Sequence, residues 1–191
     1  MANVDRPSGF TPVKTISGAP VSGLIRAVGV ADSADIFIGD ALKLSSGLAT
    51  PVTASNDITI GVAVGIGKFG TDGFPAGPYD PANLTQKFYD DSASTHTDYC
   101  VYYVPTHDVL FEAQFDGTPT TPVIGQGYGL IYTAGSATTG RSAQEIDGDD
   151  VTDKDVMIVE FLQTPGNDKA AAFGRVLVMF DSGYNELAAA L

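Results

Sequence analysis

Two histidines, one cysteine and a few paired acids are the side chains whose types and spacing come nearest to a catalytic set. His96 and His107 lie near Asp98 and Asp108, with Ser92 and Cys100 close by in sequence. A nucleophile–base–orienter triad is built from such types, but it also needs an oxyanion hole. No Gly-x-Ser-x-Gly elbow is present. Two histidines fall short of a three-histidine zinc site, and no His-Glu-x-x-His motif occurs. His107, in Pro-Thr-His-Asp, reads most simply as a turn residue. Asp90 with Asp91, or Glu112 with Asp116, have the types of glycosidase carboxylates. Spacing alone does not select that chemistry, and the chain has no Trp to stack a sugar. The single Cys100, in Tyr-Cys-Val-Tyr-Tyr-Val, makes neither an intrachain disulfide nor a Cys-x-x-Cys metal motif, so it reads as a buried structural thiol. The expectation is a non-enzyme without a cofactor or small-molecule substrate.

Two further motifs are weighed on their context. Gly65-Ile-Gly67-Lys-Phe-Gly70 matches Gly-x-Gly-x-x-Gly after a strand pattern. A dinucleotide site needs a helix to start there, so that its N-terminus can hold the pyrophosphate. The residues that follow, TDGFPAGPYDP, cannot be helical, so the glycines read as strand-end punctuation. The run Asp147-Gly-Asp149-Asp150-Val-Thr-Asp153-Lys-Asp155 has the composition of a calcium loop. An EF-hand requires Gly at its sixth position and Glu at its twelfth, and those positions hold Thr152 and Ile158. A weak, irregular cation site over 147–155 stays open, with a solvated acidic loop as the simpler reading.

The elements that must position these residues are strands. The chain has 191 residues, 43% hydrophobic and only 17% charged, with 22 Gly and 11 Pro scattered along it. That is enough chain for a real core, cut into short strands by turns. The patterns predict strands at 24–31, 36–44, 49–53, 58–69, 99–105, 109–117, 129–135, 156–168 and 175–184, with Gly39 as a bend. NELAAAL at the end is the one helix-like segment and is too short to stand alone. The expected fold is all-β: a small antiparallel barrel or sandwich with an extended N-terminal arm and long loop excursions. Residues 1–20 form the arm. Residues 21–191 form a single β domain, with two lobes, 21–69 and 99–191, as one way to divide it. The Gly/Pro/Asp-rich loop 70–98 joins them, and a loop of that length usually has a job.

Net charge is −13, and the ten basic residues form no cluster in sequence. Nucleic-acid binding needs a concentrated basic face, so it is not expected. The charge is uneven: residues 1–30 carry three basic residues and one acid, a sum of +2, which leaves −15 for the rest. MANVDRPSGF has no apolar core of a signal peptide. No run approaches the ~20 apolar residues of a membrane span. The expectation is a soluble protein made in a reducing cytoplasm, with no membrane partner. In the arm, three prolines among the first twenty residues exclude helix. Val4, Arg6, Phe10, Val13, Lys14 and Ile16 are its candidate docking residues, the cations suiting an acidic partner surface.

Several segments carry a family resemblance. The opening ANVDRPSGFTPVKTISGAP, the run DIFIGDALKLSSGLATPVTASNDITIGVAVGIG (35–67), VYYVPTHDVLFEAQFDG (101–117) with Phe111, Glu112, Gln114, Asp116 and Gly117, TAGSATTGRSAQEID (133–147), and the closing IVEFLQTPGND…RVLVMFDSGYN together resemble head decoration (cement) proteins of tailed bacteriophages. The resemblance covers most of the chain, least in 70–98. It implies a virion component on the outer capsid surface, made in the host cytoplasm. Its implied partners are the phage major capsid protein and further copies of itself in a homotrimer. An N-terminal arm would add a strand or strap to the capsid. Other virion structural roles (tail, connector or fibre-associated subunit), a surface glycan-binding module, and a capsule hydrolase using an acid pair are the alternatives.

Overall fold

The computed structural model describes residues 3–31, 34–55, 57–69, 74, 87–91, 98–120 and 122–181. Within them run twelve strands: β1 (Thr11–Thr15), β2 (Arg26–Gly29), β3 (Ala41–Ser45), β4 (Leu48–Pro51), β5 (Gly61–Lys68), β6 (Tyr99–Pro105), β7 (Val109–Gln114), β8 (Gly127–Tyr128), β9 (Leu130–Ile131), β10 (Glu145–Ile146), β11 (Val156–Phe161) and β12 (Arg175–Phe180). A 3-10 helix spans Val21–Leu24. The strands form two five-stranded antiparallel sheets, ordered β2-β6-β5-β3-β4 and β1-β7-β12-β11-β8, and a small β9-β10 ribbon.

The apolar alternation that predicts strands also sets how the sheets pack. Val176, Val178 and Phe180 on β12, Val109, Phe111 and Ala113 on β7, and Val156 and Ile158 on β11 recur every second residue. All are buried in one cluster, as the two-residue period of a strand requires. Ala41, Val62 and Val104 face them from the other sheet in the same cluster. This is a sandwich-like arrangement of two open sheets. The first sheet buries its other face as well: Leu42, Ala49, Ala63, Ile66, Val101 and Tyr103 belong to a second core with Ile36 and Tyr89. Burial on both faces explains why β5 and β6 read as nearly continuous apolar runs rather than clean alternations. The β2 end touches β4 at one isolated bridge, Val30 to Ala49, and among the described residues the sheet does not close into a barrel.

Several expectations are corrected in detail. The strand expected at 36–44 is broken at Gly39, whose φ of 99° is open to glycine and strained for other residues. Ile36 and Ile38 make only single bridges, to Tyr89 and Arg141, and regular pairing starts at Ala41. The strand expected at 129–135 is reduced to Leu130–Ile131, with Gly127–Tyr128 pairing β11 instead. Strand membership also crosses the division drawn at 70–98. β6, after that loop, lies in the first sheet between β2 and β5, while β1, from the arm, lies in the second beside β7. Most of the loop lies outside the described residues. So does the helix-like tail.

The two sheets are joined where three segments cross. Phe10 N donates to Gly39 O at 2.9 Å, Ile38 N to Gly140 O at 3.0 Å, and Ser142 N to Ile38 O at 2.9 Å. Gly9 and Gly39 pass so close that a Cβ on Gly9 would overlap the Gly39 carbonyl, and one on Gly39 would overlap the Ser8 carbonyl. Both glycines have positive φ. Gln144 completes the joint, its Oε1 accepting from Ala41 N at 2.7 Å.

Candidate partner-binding face

The N-terminal segment carries all six of the candidate docking residues. It does not extend away from the body. Asn3 Nδ2 donates to the carbonyls of Asp168 and Ala172, and Asn3 Oδ1 accepts from Asp168 N. Arg6 N donates to Gln114 Oε1 at 3.2 Å. Thr11 to Thr15 then pair with β7, with a bulge between Pro12 and Lys14. The arm is thus a strap, and β1 covers what would otherwise be the bare edge of β7. An isolated β7 edge would expose unpaired main-chain groups, which is the physical reason that the strap lies on its own protein.

This placement separates the six candidate residues. Phe10 is 1% exposed, with its ring centroid 5.0 Å from that of Phe180. It is a core residue and cannot dock on anything else, a correction to its sequence reading. Lys14 Nζ pairs with Glu160 at 3.2 Å across exposed surface, a contact worth little in water. Val4, Val13 and Ile16 are 62%, 42% and 55% exposed. Arg6 is exposed as well. Five of the six therefore face outward, Lys14 through its exposed pair with Glu160, on a strap whose inner side is fixed by Asn3, the Arg6 amide, Phe10 and the β1–β7 ladder.

The outward stripe continues past the strap. Leu24 and Ile25 are exposed beside it, so five of the eleven exposed large apolar residues among the described ones fall within the first 25 positions. Ile16 and Leu24 border a groove of about 500 Å³, closed by Thr15, Arg26, Pro105 and His107. Sequence reasoning missed Leu24 and Ile25 because they open an apolar run that reads as strand interior. The 3-10 turn, and strand pairing that begins only at Arg26, leave them at the surface instead.

The other sequence-singled residues fall into structural roles. Cys100 is fully buried on β6, and burial pushes its thiol pKa up, opposed by a contact with Tyr102. His107 borders the groove, while His96 and Ser92 lie outside the described residues. Glu112 pairs with Arg175 at 3.0 Å rather than with Asp116. Asp116 Oδ1 accepts from Gly148 N. Asp91 N donates to Asp35 Oδ1 at 2.9 Å. Gly65 and Gly67 sit inside β5, and Gly70 lies outside the described residues. In the acidic run, Asp147 Oδ1 accepts from the amides of Asp149 and Asp150, and Asp150 Oδ1 from those of Thr152 and Asp153. These are side chains organising their own turns. Asp155 is buried and accepts from the Tyr132 hydroxyl at 3.0 Å. Among the described residues no group of three His, Cys, Asp or Glu is placed to hold a metal ion.

Two carboxyls are held above their ordinary range. Burial pushes Asp40 up to about 6, against the stabilising bonds from Ser142 and from Phe37 N at 2.8 Å. Burial first, then repulsion from Asp5 and Asp116, raises Glu145, while Gln114 Nε2, 3.0 Å away, opposes the rise. Asp40 lies at the crossing of the sheets and Glu145 beneath the strap, so both bear on how the strap and sheets are held.

Comparison with protein-family models, with curated proteins and with solved structures finds no match to this chain.

Proposed function

We propose that this protein is a head decoration protein of a tailed phage. It binds the outer surface of the expanded capsid as a homotrimer and ties neighbouring major capsid subunits together. The observation that carries the reading is the strap: a segment fixed on its inner side that offers Val4, Arg6, Val13, Ile16, Leu24 and Ile25 outward. The sequence resemblance supports the same reading, and the all-β body supplies a rigid platform for such a face. A pre-ordered strap has little conformational entropy left to lose on docking. Packaged DNA strains the shell. A decoration protein adds interface across the seams, and many copies multiply a modest contact into high avidity. The net charge of −13 would cover the outside of the particle with like charge and keep virions dispersed.

Co-sedimentation with expanded, undecorated heads and with unexpanded procapsids tests the reading. The expected result is saturable binding to expanded heads only, weakened by Ile16→Asp at unchanged melting temperature. Binding to neither particle, by a folded protein, would sink it.

A further inference from the structure

We infer that the notch between the strap and the 164–167 turn is a docking site for a carboxylate-bearing, extended segment of a partner protein, gripped by Arg6 and Arg175. This rests on the protein being an interaction protein and names the chemistry of one of its contacts.

The notch has a volume of about 300 Å³ and is bordered by Val4, Arg6, Gly166, Phe173 and Arg175. Three observations converge on it. First, it concentrates cations in a chain of net charge −13. Arg175 spends one edge of its guanidinium on Glu112 at 3.0 Å and one on the Arg6 carbonyl at 3.4 Å. Arg6 is anchored through its main chain alone: its amide donates to Gln114 and its carbonyl accepts from Arg175. Its guanidinium has no hydrogen-bond or ion-pair partner among the described residues and stands exposed at the rim. A guanidinium offers five donors in a fork that matches a carboxylate two-fold, and this fork is unused.

Second, Phe173 lines the notch with a φ of 60°. A bulky residue in the left-handed region is an outlier, and such strain concentrates at clamps and binding sites. Third, Asn3 and Asn167 make the walls rigid. Asn167 donates to Leu162 O and Arg175 O and accepts from Arg175 N, while Asn3 ties the strap to Asp168 and Ala172. The side chains of Asn3 and Asn167 are thus engaged within the protein, whereas the Arg6 fork has no partner among the described residues and is open to a visitor. Val4, 62% exposed beside it, suits an apolar side chain next to the incoming carboxylate.

Arg6→Ala is a clean variant, since that side chain makes no polar contact among the described residues. It is expected to keep the wild-type melting temperature, and Arg6→Lys to keep the charge but lose the fork. The probe is a blocked Glu-Leu-Glu tripeptide titrated into the full chain and followed by amide chemical shifts, with blocked Gln-Leu-Gln as the control. The expected result is saturating shifts at Val4, Arg6, Gly166, Phe173 and Arg175 with the acidic peptide, weakened severalfold in Arg6→Lys and lost in Arg6→Ala. Equal shifts with the neutral peptide, or shifts that persist in Arg6→Ala, would overturn the inference. Co-sedimentation of Arg6→Ala with expanded heads separates the two readings. If wild-type protein binds heads and Arg6→Ala binds equally well, the notch is wrong and the capsid role stands. If wild-type protein binds peptide but no head, the notch stands and the capsid role falls.

Discussion

Replacing Asp40 by Asn should remove a pH dependence of stability that the buried carboxyl creates. Asp40 is 3% exposed at the crossing of the two sheets, where burial raises it from 3.8 to about 6. The folded protein therefore holds this proton more tightly than the unfolded chain does. The sign follows from that difference. The stabilising contribution is fully present below pH 3.8, falls as pH rises, and is gone above about 6. A shift of about two pKa units at ~1.4 kcal/mol each amounts to about 3 kcal/mol over the whole window. Between about pH 4 and pH 7 the change is roughly 2 kcal/mol. Asn keeps an oxygen to accept from Phe37 N, and its amide can donate to the Ser142 hydroxyl, so the joint stays hydrogen-bonded. The assay is urea unfolding of both proteins at about pH 4 and pH 7. Other acids titrate in each protein, so the difference between the two pH slopes isolates Asp40. Wild type should lose roughly 2 kcal/mol more than Asp40→Asn across that range. Parallel slopes would refute the argument that desolvation dominates at this carboxyl.

Four further outcomes follow from the same geometry. Phe10→Ala should cost about 3–5 kcal/mol in chemical denaturation, because Phe10 packs on Phe180, which in turn packs on Phe111, within the intersheet core. Deleting residues 2–16 should accordingly unfold or severely destabilise the protein rather than merely weaken docking, and a truncated protein with wild-type stability would contradict the strap. Gly39→Ala should cost several kcal/mol, since the added methyl overlaps the Ser8 carbonyl at a φ of 99°; a thermal melt within a degree of wild type would contradict it. Cys100 should resist iodoacetamide at neutral pH in the native state and react on denaturation, because it is fully buried with its thiol pKa raised; rapid native labelling, read by intact mass, would show that β6 opens easily.

The apolar spacing of this chain determined its all-β class and most of its strands. Runs such as YCVYYV, VLFEAQ and RVLVMF alternate or stay apolar over lengths that only strands use, and that information is local. Turn chemistry was legible too, as at Gly39. Which strand lies beside which was not legible, because pairing is decided between distant residues. Thr11 meets Glu112, and Val178 meets Phe111, contacts that no local window contains. The strap shows the consequence. Its isolated apolar residues read alike in sequence, yet tertiary packing drew Phe10 into the core and left Val4, Val13 and Ile16 outside. The joint around Asp40 and Gln144, and the notch that brings Arg6 beside Arg175, likewise exist only once the chain crosses itself. Burial and charge proximity are properties of the folded arrangement, so the sequence alone could name these residue types but not their roles.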